Sequence, residues 1–294
     1  MSLPQHDPAW LERMYNNRAL VPEHMEFFQR WATDSAQVRR NIPCELDVAY
    51  GTGVGESLDI FPAERVAPGG VPVLVFIHGG YWRSLDKSDH SFIAPAFTRA
   101  GFCVVVLNYA LCPGMPEAPV TIPHIGRQME KAFAWVWRNI ARHGGDPARI
   151  TAVGHSAGGQ LAAMLLTSVW PLISAELPDG LVRNALSISG VHDLEPLMYT
   201  PFLQESLRIT DGHVQQASPA RLQAPARGVL YSVAGGEESD EFKRQAQLIQ
   251  DAWGSHAVPR VQLMPGLNHF SVLDALAKPG HDLHHMAQNL LRAP

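Results

Sequence analysis

The stretch Gly154-His155-Ser156-Ala157-Gly158 constrains this chain more than any other, because of what lies on each side of it. Arg149–Val153 is a short apolar run with β-branched residues and reads as a buried strand. Gly159–Trp170 is rich in Ala, Leu and Met without a proline and reads as a helix. A serine between two glycines at a strand-to-helix turn fits a nucleophile elbow, in which small neighbours let a strained backbone turn and project the hydroxyl. An ordinary Gly-rich turn is the competing explanation, and the flanking strand and helix weigh against it.

The same strand-then-helix pattern extends along the chain. Runs at Val71–Ile77, Phe102–Asn108, Ile150–Gly154, Ala185–Ser189, Gly228–Ala234 and Val261–Met264 read as strands. Helical patterns fall at Ser88–Ala100, Ile122–His143, Ala157–Trp170, Glu241–Trp253 and from about His281 to Leu291. Continuously apolar strands alternating with helices imply a parallel sheet covered on both faces. Two earlier strands, Glu45–Tyr50 and Ser57–Pro62, flank Gly51-Thr52-Gly53-Val54-Gly55. That glycine run precedes a strand rather than a helix, so a hairpin turn is expected and a phosphate cradle is not. The expectation is an α/β chain forming one domain over 1–294, with a mostly parallel, eight-stranded mixed sheet.

Residues 1–40 read as a helical cover, Pro8–Asn17 then Pro22–Arg40, with Trp10, Leu11, Met14, Met25, Phe28 and Trp31 at near-helical spacing. Packing on the core is the favoured role and roofing a site the alternative. The stretch 195–221, with Met198, Tyr199, Phe202 and Leu203, is a candidate lid.

A serine needs a base to take its proton and an acid to orient that base. Behind an elbow of this kind the chain order is nucleophile, acid, histidine. His269 lies in Pro265-Gly266-Leu267-Asn268-His269-Phe270, directly after the last strand, where α/β sites assemble. For the acid, Gly235-Gly236-Glu237-Glu238-Ser239-Asp240 follows the preceding strand. Glu238 is the better placed. Asp240 remains the alternative, although an Asp opening a helix has an ordinary role as cap or N-terminal charge. His78-Gly79-Gly80-Tyr81-Trp82 follows the strand Val71–Ile77 and fits an oxyanion loop. Gly79 and Gly80 would let backbone N–H groups approach, with the N–H of Ala157 as companion donor. Tyr81 and Trp82 beside that loop are candidates to stack on an aromatic substrate, with plain packing as the equal alternative. Arg18 and Arg83 are candidate partners for a substrate carboxylate, weighed against simple solvent exposure.

Other histidines carry less. His192 precedes the expected acid and reads as a pocket residue rather than the base. His281, His284 and His285 share helical spacing, but Asp282 is the only local carboxylate, so a solvated face is expected rather than a metal site. No cofactor is implied. With a formal charge of −5 and no Lys/Arg block, nucleic acid is an unexpected partner. No apolar run has the length of a membrane span. Met1–Asp7 has neither a basic start nor an apolar core, so no secretory leader is expected. Cys44, Cys103 and Cys112, odd in number and partly within strands, suggest reduced thiols in a cytoplasmic protein. The expected partner is a small-molecule substrate, with a homodimer open because dimers are common among enzymes.

With these residues placed, the chain resembles the hormone-sensitive-lipase-like branch of the α/β-hydrolases. Asn108-Tyr109-Ala110-Leu111-Cys112-Pro113 and Gly144-Gly145-Asp146-Pro147 are similar to segments of that branch. Within it the chain looks most like the kynurenine formamidase (arylformamidase) family. His78-Gly79-Gly80-Tyr81-Trp82 matches that family's His-Gly-Gly-x-Trp motif. Ser189-Gly190-Val191-His192-Asp193-Leu194 matches its Ser-Gly-Val-x-Asp-Leu segment, and Glu238-Ser239-Asp240-Glu241-Phe242 is similar to its Asp-Ser-Pro-x-Phe segment. In the last of these a Glu stands where the family's catalytic Asp is usual. The resemblance spans about residues 70–275 and implies the α/β-hydrolase fold. It also implies serine-hydrolase chemistry on an aryl formamide such as N-formylkynurenine. A broad short-chain esterase or an amide or carbamate hydrolase is the alternative, and a non-catalytic binder of the same fold is a third reading.

Overall fold

In the computed structural model, residues 7–293 are described. Met1–His6, most of the segment read for a leader, lie outside the described residues. One eight-stranded sheet organises the chain: β1 (Glu45–Ala49), β2 (Ser57–Phe61), β3 (Val71–Ile77), β4 (Cys103–Leu107), β5 (Gly145–His155), β6 (Val182–Ile188), β7 (Val229–Gly235) and β8 (Arg260–Met264). Their spatial order is β1-β2-β4-β3-β5-β6-β7-β8. β2 runs antiparallel to both β1 and β4, and every other pairing is parallel.

The seven residues of β3 are all buried because the sheet is covered on both faces. Alternation divides them between two cores: Val73, Val75 and Ile77 enter one, Leu74 and Phe76 the other. The first core takes the helices Ile122–Asn139, Ala157–Thr167 and Asp240–Ala257, and the second takes His24–Asn41, Ser271–Leu276 and Asp282–Arg292. The helix Ile122–Asn139 shows how sequence fixes such an element. The Thr121 hydroxyl caps it by accepting from the His124 N–H, Pro123 sits in its first turn, and Ile122, Ile125, Met129, Phe133 and Val136 form the buried stripe.

Some boundaries depart from the sequence expectation for local reasons. β5 begins at Gly145 rather than Ile150, because the first residue of β3, Val71, extends the pairing back to Gly145. The expected helix Ser88–Ala100 is two 3₁₀ turns followed by the short helix Ala94–Thr98. The Asp86 carboxylate caps the first turn through the Ser88 N–H, and Pro95, which lacks an N–H, opens the last. The first expected helix stops at Tyr15, where the Asn16 side chain accepts from Ala19 N–H and starts the four-residue helix Asn17–Leu20.

Gly51–Gly55 is a hairpin loop between β1 and β2. The Glu56 carboxylate turns into that loop, accepting from the Gly53 N–H at 2.9 Å and from Lys131 at 2.7 Å. An acid occupies the ground a phosphate would need. The stretch 195–221 forms three short helices, Glu195–Met198, Pro201–Leu207 and Asp211–Ala217, and a 3₁₀ turn.

Candidate active site

β5 ends at His155, and the helix Ala157–Thr167 begins one residue beyond Ser156. Ser156 has φ 55° and ψ −118°, a left-handed backbone costly for any residue with a Cβ. The geometry is enforced by close packing. A Cβ on Gly158 would lie 2.0 Å from the Ile77 carbonyl oxygen, and one on Gly154 would lie 2.0 Å from the carbonyl oxygen of Gly158. The Ser156 N–H donates to the Ile188 carbonyl at 2.8 Å, pinning the turn to β6. Ser156 is 2% exposed.

His269 sits in the loop after β8, and its Nδ1 donates to Glu238 Oε2 at 2.6 Å. Nε2 is therefore left as the basic nitrogen. His269 and Ser156 line one cavity. Both His269 and Glu238 are only 5% exposed. The other oxygen of the Glu238 carboxylate accepts from Ser189 Oγ at 2.5 Å and from the Gly235 N–H at 2.6 Å. Asp240 is elsewhere: its side chain is 86% exposed, at the first residue of a helix capped by Ser239, facing Lys243.

His155, the middle residue of the elbow motif, donates from Nε2 to the backbone carbonyl of His269 at 2.8 Å. Burial and the nearby His269 ring push its pKa well below the ordinary value, which keeps the ring neutral. The two imidazoles lie 4.8 Å apart between centroids, and Phe242 packs on His269 at 4.6 Å. His269 is held through both its side chain and its backbone.

The loop after β3 closes the opposite wall. A Cβ on Gly79 would lie 3.0 Å from Ser156 Cβ, so the glycine brings this backbone against Ser156. Ala157 is the first residue of its helix, and its N–H points off the helix end with no acceptor four residues back. Gly80, Tyr81 and Trp82 all have positive φ, at 101°, 51° and 54°. His78 braces the loop, with Nδ1 donating to the Gly79 carbonyl at 2.8 Å and Nε2 lying 3.1 Å from Asn108 Oδ1. The Tyr109 hydroxyl donates to the His78 carbonyl at 2.9 Å.

Trp82 corrects the sequence expectation. It is fully buried in the core, its indole N–H donates to Gln160 Oε1 at 3.1 Å, and it does not line the cavity. Tyr81 does line it, with its hydroxyl donating to the Tyr15 carbonyl at 2.6 Å. The N-terminal cover departs from the favoured packing role. Asn16, Asn17, Arg18, Phe28 and Trp31 line the cavity, so the cover roofs it while Trp31 also anchors the second core. From 195–221 only Phe202 reaches the cavity. Phe28, Trp31 and Phe270 make an aromatic wall, Phe28 meeting Phe270 edge-to-face at 5.4 Å. Sequence reasoning missed Ser189 and His155 as supports and Asn17, Ser84 and Leu85 as lining residues; nothing in residue type marks them.

Three of the other histidines sit in structural contacts. His192 is buried away from the cavity, 3.2 Å from Ser187 Oγ. His281 caps its helix by accepting from the Leu283 N–H, and His284 donates to the Leu276 carbonyl; buried against Phe97, His284 departs from the solvated face expected of it. Among the described residues no cluster of His, Cys, Asp or Glu has the makings of a metal site, and no helix is long and apolar enough to cross a membrane.

Comparison with known proteins agrees with this architecture. The BD-FAE family model matches residues 58–176. A kynurenine formamidase of Salmo salar is 29% identical over 256 residues, covering 84% of this chain and 81% of its own length. One from Danio rerio is 28% identical over 280 residues, covering 92% and 89%. Among solved structures, a candidate thioesterase of Silicibacter sp. TM1040 superposes with a TM-score of 0.79 at 30% identity, covering 93% of this chain and 97% of its own. Eight strands in this order, an elbow after the fifth and relatives matching over nearly the full length lead to one assignment: the chain belongs to the α/β-hydrolases and is related to kynurenine formamidase.

Proposed function

We propose that this chain is a serine hydrolase cleaving an aryl formamide of the N-formylkynurenine type through a formyl-enzyme. The observation that carries the reading is the 2.6 Å contact between Glu238 Oε2 and His269 Nδ1, on the cavity that also holds Ser156 at its elbow. Glu238 orients the imidazole, and Nε2 of His269 takes the Ser156 proton as Oγ attacks the formyl carbon. The oxyanion that forms meets the N–H groups of Ala157 and of the Gly79–Gly80 loop. Collapse of this adduct breaks the C–N bond, and His269 returns the proton to the departing aryl amine. Water then attacks the formyl ester with His269 again as base, releasing formate and restoring the hydroxyl.

The chemistry suits the site. An aryl amine is a weak base and leaves more readily than an alkyl amine, and a formyl carbon is unhindered. The base and oxyanion donors are all supplied by side chains and backbone, so the proposed cycle calls on no metal. The aromatic wall of Phe28, Trp31 and Phe270 offers a surface for an aryl leaving group. The free thiols of Cys44, Cys103 and Cys112 fit the cytoplasmic location we propose for it. A short-chain ester or thioester is the second reading, favoured by the name of the Silicibacter relative.

A fluorophosphonate probe should label Ser156, and the specificity constant for N-formylkynurenine should exceed that for 4-nitrophenyl acetate. An unlabelled Ser156 would sink the hydrolase reading and favour a binder. A formamide rate no better than the acetate rate would leave a general esterase.

A further inference from the structure

The two peptide groups that would meet an oxyanion share one buried hydroxyl on their carbonyl side. Among the described residues, neither the Gly79 nor the Gly80 N–H donates to a backbone carbonyl. Each of these N–H groups belongs to a peptide unit that ends in a carbonyl, that of His78 for the first and that of Gly79 for the second. The Tyr109 hydroxyl lies 2.9 Å from the His78 oxygen and 3.2 Å from the Gly79 oxygen, so its proton is shared between both units. His78 Nδ1 adds a second donor to the Gly79 oxygen at 2.8 Å. Tyr109 is 1% exposed and absent from the cavity wall. Burial, then the neighbouring Cys112 and Tyr50, raise its pKa well above the ordinary value, so the hydroxyl keeps its proton and stays a donor. Its ring stacks on the His78 imidazole at 4.3 Å, with 12° between the planes. The backbone is wedged in place. A Cβ on Gly55, itself at φ 73°, would lie 2.4 Å from the Tyr109 carbonyl carbon, and the Ala110 N–H donates to Gln128 Oε1 at 2.9 Å. The glycine hairpin thus closes on the residue that grips the loop after β3.

We propose that Tyr109 is a positioning residue that polarises the Gly79 and Gly80 peptides from their carbonyl side, making both N–H groups stronger donors to the oxyanion. The proposal rests on the serine-hydrolase reading of this cavity and adds a residue to its machinery. Hydrogen bonds in a chain strengthen one another by about 10–30% per bond, and the hydroxyl, the peptide and the oxyanion form such a chain. The gain is largest when full negative charge sits on the substrate oxygen, so it acts on the transition state more than on the bound substrate. A hydroxyl that only held the loop in place would give a response that is present or absent. Polarisation gives one that is graded with the strength of the donor.

The test grades that strength. Placing 3-fluorotyrosine and then 3,5-difluorotyrosine at position 109 keeps the ring and its hydroxyl but makes the O–H a stronger donor at each step. With 4-nitrophenyl acetate and an aryl formamide, kcat should rise along the series while KM stays within about twofold. Tyr109→Phe should lower kcat roughly tenfold with KM again little changed. Phenylboronate, which forms a tetrahedral anion on a serine hydroxyl, should bind more tightly in the same order as kcat. The same fluorotyrosines in place of the half-buried Tyr231 should change nothing. Should Tyr109→Phe not fold, the fluorinated series still decides, since it removes no contact. An unimpaired Tyr109→Phe enzyme, or a kcat that stays flat or falls along the series, overturns the proposal. The Gly79 and Gly80 amide proton resonances of the unliganded protein read the effect without turnover and should move downfield stepwise. Stationary resonances overturn the proposal even in an active hydrolase. Moving resonances in a protein that cleaves neither substrate would uphold the polarisation and fail the hydrolase reading alone.

Discussion

Ser189 Oγ donates to one oxygen of the Glu238 carboxylate at 2.5 Å, and the opposite oxygen receives His269 Nδ1 at 2.6 Å. The hydroxyl comes from a residue that itself sits at φ 53°, immediately past β6, with its N–H donating to the Val233 carbonyl at 2.6 Å. A strained serine just beyond a strand thus fixes which oxygen of Glu238 meets the imidazole. The longer arm of Glu, relative to Asp, is accommodated because both of its oxygens are tied.

Removing this anchor should be felt in kcat rather than in folding. Ser189→Ala deletes one charge-assisted hydrogen bond of about 1.5–3 kcal/mol, and a ten- to hundredfold loss of kcat is expected with little change in KM. Glu238→Gln should cost about 10⁴-fold, in line with acid-to-amide replacements in comparable triads, while Asp240→Asn should stay within twofold. Steady-state kinetics on the three variants decide it. A larger loss in Asp240→Asn than in Glu238→Gln would reassign the acid.

At the nucleophile, Ser156→Ala should lower turnover about a millionfold. Gly79→Ala should cost about a hundred- to thousandfold while leaving substrate affinity nearly intact, because its new Cβ would press on Ser156 Cβ and the His155 carbonyl and push the oxyanion loop outward. Single-turnover measurements separate the acylation rate from binding. An unimpaired Gly79→Ala enzyme would exclude this loop as the oxyanion donor.

Acid stability should be governed by buried neutral imidazoles. Burial holds His192 down at about 3; for His90 burial and then the His78 charge bring it to about 3. Both pKa values are lower folded than unfolded, so the unfolded chain binds protons more readily below about pH 6.5. Stability is thus fully present above that pH and falls as pH drops toward 3, by about 2 kcal/mol per histidine at pH 5. Melting temperatures should decline between pH 7 and 5, and less steeply in His192→Gln. Parallel curves for the two proteins would show that His192 is not one of the groups responsible.

Phe28 tests whether the N-terminal cover meets the substrate. It lines the cavity and touches Phe270 edge-to-face, so Phe28→Ala should remove about 0.5–1.5 kcal/mol of aromatic contact. The expected result is a two- to tenfold rise in KM for an aryl formamide and a smaller one for methyl formate, which has no ring. Equal effects on both would mean that Phe28 only supports the fold.

The sheet was legible because each of its central strands is a run of apolar residues ending in a glycine- or proline-marked turn, and such runs bury on both faces. The turn at Ser156 and the placement of His269 were legible because both positions are tied to strand ends. The choice between Glu238 and Asp240 was not, since two carboxylates two residues apart differ only in which one the turn after Gly235 folds inward. Trp82 was misplaced because its motif position adjoins the site, whereas the positive φ at Gly80, Tyr81 and Trp82 swings its ring back into the core. The roof formed by Asn17, Phe28 and Trp31 was hidden for a related reason. An apolar helical stripe looks the same whether it covers a core or a cavity, and here it does both.

Residues between Asn16 and Trp31 reach the cavity from outside the sheet, while Ser156, His269 and Glu238 all issue from strand ends. A share of the cavity wall is therefore written in a part of the polypeptide separate from the strand ends. Exchanging the stretch from Asn16 to Trp31 for that of another hydrolase would reshape the cavity while the strand-end groups of the proposed mechanism stayed as they are, so this short segment is the place to begin any redesign.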